Sequence, residues 1–192
     1  MAYILCTLLL SVMSLSCVFS TCYNLYLQPI YAQSTNGSLM NNFTTYTNPV
    51  YKITMQFPSD WTVSYNGLGS YTNVAGFYPP LSNVSVHFPA HLILSVLDYA
   101  KNITLDNYTH LIDNRANMAG MHLLTKHLTT ISGRQAQSEI YEFNVAGSSI
   151  VNPIFYTVSG NKVYVLSFFA ERAEYFKYLP ILERMVTTFV IY

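Results

Sequence analysis

The sequence of 192 residues contains few charged side chains and carries no net charge. Charged residues make up 9% of the chain and the formal net charge at pH 7 is zero, whereas roughly 25% is usual for a soluble domain. The nine Lys and Arg residues are scattered singly, but phosphate backbones are bound by concentrated basic faces. The composition therefore predicts no nucleic-acid partner.

Cysteine is also scarce, and its placement limits the chemistry of the chain. Cys6, Cys17 and Cys22 all lie near the amino terminus. A chain that loses this segment has no disulfide, no thiol nucleophile and no Cys-ligated zinc. A lipidated cysteine is the alternative, although neither Cys17 nor Cys22 follows a typical lipobox sequence.

No charged side chain precedes Lys52, so the first part of the chain differs in kind from the rest. An almost continuous apolar run extends from Ala2 to Cys22, and Ile30-Tyr31-Ala32 resembles a cleavage site. These features predict a secretory signal peptide over residues 1–32 and a secreted or cell-surface protein. An uncleaved anchor is the alternative, since about 20 apolar residues can span a bilayer. Contact with a membrane would then be made only through this segment.

The remaining chain divides into a polar stretch and a single folded domain. Asn, Thr and Ser dominate up to Asn48, which predicts a polar linker over residues 33–48 and a domain over residues 49–192. Alternating apolar residues from Tyr51 to Phe57 predict a strand with one buried face. The only tryptophan, Trp61, follows Pro58-Ser59-Asp60 at the end of this strand. We predict that its ring enters the core as a structural anchor.

The pattern after Trp61 predicts further strands and two helices. Thr104 is a plausible N-cap before an apolar stripe that ends at Gly120. A second helix is predicted to begin around Pro180, and a turn or two over residues 172–178 can precede it. In residues 163–170 the odd-numbered and the even-numbered positions are both mostly apolar, which predicts a strand buried on both faces. The other predicted strands cover residues 63–65, 74–78, 91–97, 123–131, 136–145 and 154–158. The predicted fold class is a largely antiparallel β-sheet sandwiched between helices, of the α+β type.

Three side chains of the first predicted helix carry metal-binding groups. Asp106, His110 and Asp113 are spaced by four and three residues, so they fall on one helical face. Oxygen and nitrogen donors of this kind can bind a divalent cation, and an ordinary solvated helix face is the alternative. No other cofactor is indicated by the sequence.

Asn-x-Ser/Thr motifs are frequent in the chain. In an exported protein made by a glycosylating cell, each is a candidate site for a solubilising glycan. The five acceptors are Asn36, Asn42, Asn83, Asn102 and Asn107.

The common motifs of hydrolases and nucleotide-binding enzymes are absent from the sequence. It contains no Gly-x-Ser-x-Gly, no His-Glu-x-x-His and no phosphate-binding glycine-rich loop. We therefore predict that the protein is not an enzyme. An extracytoplasmic hydrolase with a site assembled from distant Ser, His and Asp residues is the alternative.

Five segments carry a pattern that is spread along the domain: Tyr51 to Trp61, Thr104 to Tyr108, Ile131 to Ala136, Asn161 to Leu166 and Tyr178 to Phe189. Together these segments resemble the PsbP-like family, which is named for an extrinsic lumenal protein of photosystem II. The resemblance covers roughly residues 49–191 and implies an antiparallel sheet between helices. It also implies a non-enzymatic role in binding, assembly or stabilisation of a membrane or envelope complex.

Within this family the chain is most similar to single-domain exported relatives from archaea or bacteria. Its leader contains no arginine and its domain has few lysines, unlike the basic docking surface of the plant protein. An extrinsic component of the oxygen-evolving complex that retains ions is the alternative within the family.

Overall fold

A computed structural model describes residues 42–65, 73–80 and 87–192, which form two helices and two sheets. The predicted signal peptide and the acceptors Asn36 and Asn83 lie outside these ranges. No helix within these ranges is long and apolar enough to cross a membrane. The strands are β1 (Phe43–Asn48), β2 (Ile53–Pro58), β3 (Thr62–Ser64), β4 (Asn73–Tyr78), β5 (His91–Asp98), β6 (His122–Ile131), β7 (Arg134–Val145), β8 (Ser148–Ser159), β9 (Lys162–Glu171) and β10 (Val190–Ile191), and the helices are α1 (Leu105–Met118) and α2 (Arg172–Thr187).

The main sheet has seven strands in the order β3-β4-β5-β9-β8-β7-β6, and a smaller sheet has the order β1-β2-β10. All strand pairs are antiparallel. The β6–β7 hairpin turns at Ser132 and Gly133, whose φ angles are +52° and +70°. Two positive φ angles are the signature of the tight turn that suits twisted antiparallel strands. The meander predicted for this part of the chain is confirmed.

Each face of the main sheet is covered by its own apolar core. The small sheet and α2 cover one face, where Met55 and Met185 pack with Leu166 of β9. Helix α1 covers part of the other face, where Tyr108 packs with Val165. This arrangement confirms the predicted fold class. The layer on the α2 side includes a second sheet as well as a helix, which the sequence pattern did not indicate.

The first strand begins earlier than the domain boundary predicted at residue 49. Residues Phe43–Asn48 pair with β2, and the side chain of Tyr46 is only 4% exposed. The linker prediction for residues 33–48 is therefore wrong over this strand. Its three threonines look like linker material, but β-branched side chains favour strands when a neighbouring strand is available.

The second helix begins at Arg172, so the additional turns allowed over residues 172–178 are continuous with the helix predicted from Pro180. Proline cannot donate to the carbonyl four residues earlier, which here belongs to Phe176. The side chain of Phe176 is 71% exposed, so this turn faces solvent and water can satisfy the carbonyl. The helix therefore continues through the proline.

Helix α1 starts as the sequence predicted. The hydroxyl oxygen of Thr104 accepts a hydrogen bond from the backbone N–H of Asn107 at 3.1 Å, and Gly120 follows the helix with a φ angle of +66°. This N-cap fixes the residue at which α1 begins, and the helix then packs over strands β7 to β9.

Candidate functional site

A cluster of charged and hydroxyl groups lies between α1 and the main sheet. The side chain of Glu139 on β7 is 0% exposed, and its Oε1 atom lies 3.0 Å from Nζ of Lys126 on β6. The same Nζ lies 2.7 Å from Oδ2 of Asp113 on α1. A single ammonium group therefore joins the helix to two adjacent strands.

Two tyrosine hydroxyls complete the environment of the buried carboxylate. Tyr141 donates to Oε2 of Glu139 and Tyr156 donates to Oε1, each at 2.9 Å. The Tyr156 oxygen also lies 3.0 Å from Oγ1 of Thr109 on α1. We refer to Thr109, Asp113, Lys126, Glu139, Tyr141 and Tyr156 as the polar cluster.

The environment of Lys126, Tyr141 and Tyr156 raises the pKa of each of these three groups. Burial opposes the charge of Lys126, but hydrogen bonds to Asp113 and Glu139 outweigh it and raise the pKa of the ammonium group. Burial, reinforced by the Glu139 carboxylate, raises the pKa of Tyr141 and of Tyr156. Lys126 therefore stays charged and both tyrosines remain hydrogen-bond donors. Such a cluster is suited to holding α1 against the sheet.

The polar cluster borders the long edge of the main sheet. Strand β6 is last in the sheet order and, among the described strands, pairs only with β7. Residues 122–128 are all exposed, and Leu128 is 62% exposed. Leu123 and Leu124 are also exposed. We define the β6 edge as the backbone of His122–Ile131 together with these three leucines.

This edge has few of the features that usually prevent a strand from pairing with another chain. Natural edges are protected by short length, proline, outward charge or bulges. The opposite edge, β3, has only three residues, whereas β6 has ten and no proline. The only formally charged side chain of β6, Lys126, is bound to Asp113 and Glu139. One bulge at Leu124 interrupts the register with β7.

A row of aromatic rings crosses β4, β5 and β9. His91 stacks between Tyr78, at 5.7 Å between ring centroids, and Phe169, at 5.1 Å. Phe88 packs against the same imidazole. Burial lowers the pKa of His91, although a hydrogen bond to the carbonyl oxygen of Pro89 partly opposes this shift. The neutral ring is therefore favoured in the folded protein.

The lowered pKa of His91 predicts a loss of stability in acid. Above the unfolded pKa of about 6.5 the ring is neutral in both states, so the stability it contributes is fully present. As the pH falls below this value, the unfolded chain binds the proton more readily, and folding becomes less favourable. We expect the thermal midpoint to fall less between about pH 7.5 and about pH 5 in His91→Phe than in the wild type.

A matched control for this prediction is His110→Gln, which removes an exposed histidine. Its thermal midpoint, measured over the same pH series, gives the effect of losing a histidine that lies outside the aromatic row. Equal acid sensitivity in His91→Phe and the wild type would show that His91 does not carry the effect.

The structure brings together two of the three side chains in the predicted cation site. Nε2 of His110 and Oδ2 of Asp106 are exposed and 3.7 Å apart, but Asp113 binds Lys126. Within the described ranges, no three His, Cys, Asp or Glu side chains are grouped to hold a metal. The cation site remains a prediction. Chemical-shift mapping with millimolar calcium, zinc or manganese checks it, and unmoved signals from α1 would contradict it.

The indole of Trp61 is 7% exposed and meets the ring of Tyr178 on α2 edge to face, at 6.0 Å between centroids. Its backbone N–H donates to the carbonyl of Pro58 at 3.1 Å. The side chain is thus inside the core on the α2 side.

Sequence reasoning did not identify the polar cluster, although part of it was accessible. The two-residue turn at Ser132-Gly133 fixes the hairpin register, which places Lys126 directly opposite Glu139. Opposite charges at such a position form a cross-strand pair. The contributions of Asp113 and Tyr156 depend on how α1 and β8 pack and had no local signal.

The chain resembles known proteins in its structure and not in its sequence. No protein-family model and no curated protein sequence matches the chain. The sheet covered by helices on both faces is nevertheless shared with structures of the PsbP type, and the chain has the PsbP-like fold.

Three solved structures illustrate the likeness. Cyanobacterial PsbP (CyanoP) from Synechocystis is 11% identical with a TM-score of 0.61, and the match covers 81% of this chain and 96% of that chain. LpqN, involved in cell envelope biogenesis of Mycobacterium tuberculosis, is 14% identical with a TM-score of 0.55 over 78% and 90%. The Ran-binding protein Mog1p of Saccharomyces cerevisiae is 12% identical with a TM-score of 0.52 over 78% and 95%.

Proposed function

We propose that this protein is an exported, non-catalytic binding and assembly module that forms part of an envelope or membrane-associated protein complex and pairs with another chain of that complex through its β6 edge. The observation that carries this proposal is the ten-residue edge strand with exposed leucines. An open edge of this kind recruits an extended segment of another chain through backbone hydrogen bonds, and side chains add specificity.

The polar cluster supports a binding role over a catalytic one. Its groups are bonded to one another, and no buried side-chain nitrogen or oxygen among the described residues lacks a partner. A Lys126 ammonium bound by two carboxylates is a poor nucleophile, because a nucleophilic lysine needs a lowered pKa. We assign the cluster the task of fixing α1 and β6 to the rest of the sheet.

The structural neighbours support the same proposal by analogy of fold alone. Mog1p is described as a Ran-binding protein and LpqN as involved in cell envelope biogenesis. Export is supported by the apolar run from Ala2 to Cys22, which precedes every charged residue of the chain.

The proposal is tested by site-specific photo-crosslinking in intact producing cells. A photoreactive residue at Leu128 should capture one defined protein, identified by mass spectrometry, at the cell surface or in the envelope fraction. The matched control carries the same residue at Phe176, an exposed aromatic position on α2, and should capture none. Absence of a specific product at Leu128, or equal capture at both positions, would overturn the proposal.

We further propose that glycans, where the cell adds them to the folded protein, are attached at Asn42 and Asn102. Both are exposed outside the regular elements. Asn107 differs because its motif requires Thr109, which is buried against Tyr156.

Glycopeptide mass spectrometry should therefore find modified Asn102 and unmodified Asn107. The Asn102→Gln variant should lose the mass of one glycan, whereas Asn107→Gln should lose none. The reverse pattern would contradict this prediction.

A further inference from the structure

We infer that the partner of the β6 edge is a second copy of this chain, paired antiparallel about Leu128. This inference rests on the proposed function, because it names the occupant of the same surface. It follows from the backbone directions of β6 and from the charges along the strand.

The turn of the β6–β7 hairpin determines which backbone groups of β6 are free. In a two-residue hairpin the flanking residues, here Ile131 and Arg134, form a hydrogen-bonded pair. Bonding alternates along an antiparallel ladder. Lys126, Leu128 and Thr130 therefore direct their N–H and C=O groups toward the open edge.

Twofold symmetry restricts how two such edges can meet. Outward-bonding residues must lie opposite one another, so a two-fold axis passes through a single residue position. An axis at Lys126 places two ammonium groups side by side, which is unfavourable. Any axis other than Leu128 pairs only part of the regular segment 125–131 that follows the bulge at Leu124. An axis at Leu128 pairs all of this segment and places the most exposed leucine of the strand against its own copy.

The Leu128 register creates no opposition of like charges. Lys126 of one copy faces Thr130 of the other, and His127 faces Thr129. Each Lys126 is already balanced by Asp113 and Glu139 of its own copy. The zero formal net charge also removes long-range repulsion between two copies.

The extent of this pairing indicates a reversible dimer. The bulge at Leu124 limits the regular part of the strand to residues 125–131, a length of about 23 Å at the usual rise per residue. Permanent homodimers bury much larger surfaces than a single short ladder supplies. We therefore expect a monomer–dimer equilibrium that depends on concentration.

The test is sedimentation equilibrium of the protein purified from its producing cells, over a concentration series. The wild type should shift from monomer to dimer as concentration rises. Leu128→Lys and Leu128→Glu should each remain monomeric, because each places like charges opposite one another. An equimolar mixture of the two should form dimers again, since the register then pairs Lys with Glu. Phe176→Lys, the matched control for an equally polar change elsewhere, should dimerise as the wild type does.

Circular dichroism of each variant confirms that loss of dimer is not loss of folding. A wild type that stays monomeric at every concentration would overturn the inference, as would a dimer that survives in Leu128→Lys. If the chain is monomeric but Leu128 captures a different protein in cells, the inference fails and the proposed function stands. If Leu128 captures nothing, both fail.

Discussion

Replacing Lys126 with methionine should lower the free energy of unfolding by about 3 kcal/mol. The variant removes the ammonium group that lies 3.0 Å from Glu139 and 2.7 Å from Asp113. Because the Glu139 side chain is fully buried, its carboxylate then lacks a compensating charge. Removing one partner of a buried pair is costly for this reason. The two tyrosine hydroxyls that still donate to Glu139 keep the effect at the lower end of the usual range.

Urea denaturation measures this loss, and Lys162→Met provides the matched control. Lys162 also lies on a strand and pairs with an aspartate, Asp98, but both side chains reach solvent. An exposed pair contributes at most about 1 kcal/mol. If Lys126→Met costs no more than this control, the polar cluster does not hold α1 to the sheet.

A double variant separates the loss of charge balance from the loss of packing. Glu139→Gln combined with Lys126→Met removes the unpaired charge while keeping a side chain of similar size. Coupled residues commonly deviate from additivity by roughly 0.5–3 kcal/mol. Because the unpaired carboxylate is gone, the double variant should be more stable than Lys126→Met alone. A double variant that is less stable by the sum of both single effects would indicate independent roles.

The parts of the fold that the sequence predicted correctly are those set by local rules. Alternation from Ile53 to Phe57 appears in the structure as alternating burial. The Thr104 N-cap and Gly120 bound a helix whose buried side holds Tyr108 and Ala116. Caps and periodicity act within a few residues, so a single sequence is enough to read them.

Strand β8 shows where local rules fail. Proline normally argues against a central strand, and the predicted strand began after Pro153, whereas β8 starts at Ser148. The continuing register places Phe168 opposite Pro153, which cannot donate to the Phe168 carbonyl. The buried side chain of Asn152 donates to that oxygen instead, at 2.7 Å. This compensation depends on a partner strand and has no signature in the local sequence.

The polar cluster also combines one contact that local rules predict with others that they do not. The β6–β7 turn fixes the pairing of Lys126 with Glu139, which was predictable from residue spacing. The approach of Asp113 depends on the path of α1 across the sheet. The helix spacing predicted that Asp106, His110 and Asp113 share one helical face, but spacing does not show that Asp113 lies close enough to the sheet to bind Lys126.

Replacing Trp61 with alanine should lower the free energy of unfolding by about 3–5 kcal/mol. The indole is almost fully buried in the core shared by the main sheet, the small sheet and α2. Truncation leaves a cavity next to Tyr178, whose ring contacts the indole edge to face. The backbone N–H of residue 61, which closes the turn on Pro58, is kept in this variant, so the loss reports on the buried ring.

Urea denaturation again measures the change, with two variants as controls. Phe176→Ala truncates an exposed aromatic ring and should alter stability by less than about 0.5 kcal/mol. Trp61→Phe keeps a ring in the same space and should lie between the wild type and Trp61→Ala. Because the three variants differ mainly in the buried volume that they remove, their order separates an anchor in the core from a general effect of losing an aromatic side chain. A Trp61→Ala variant as stable as Phe176→Ala would reject the anchor role.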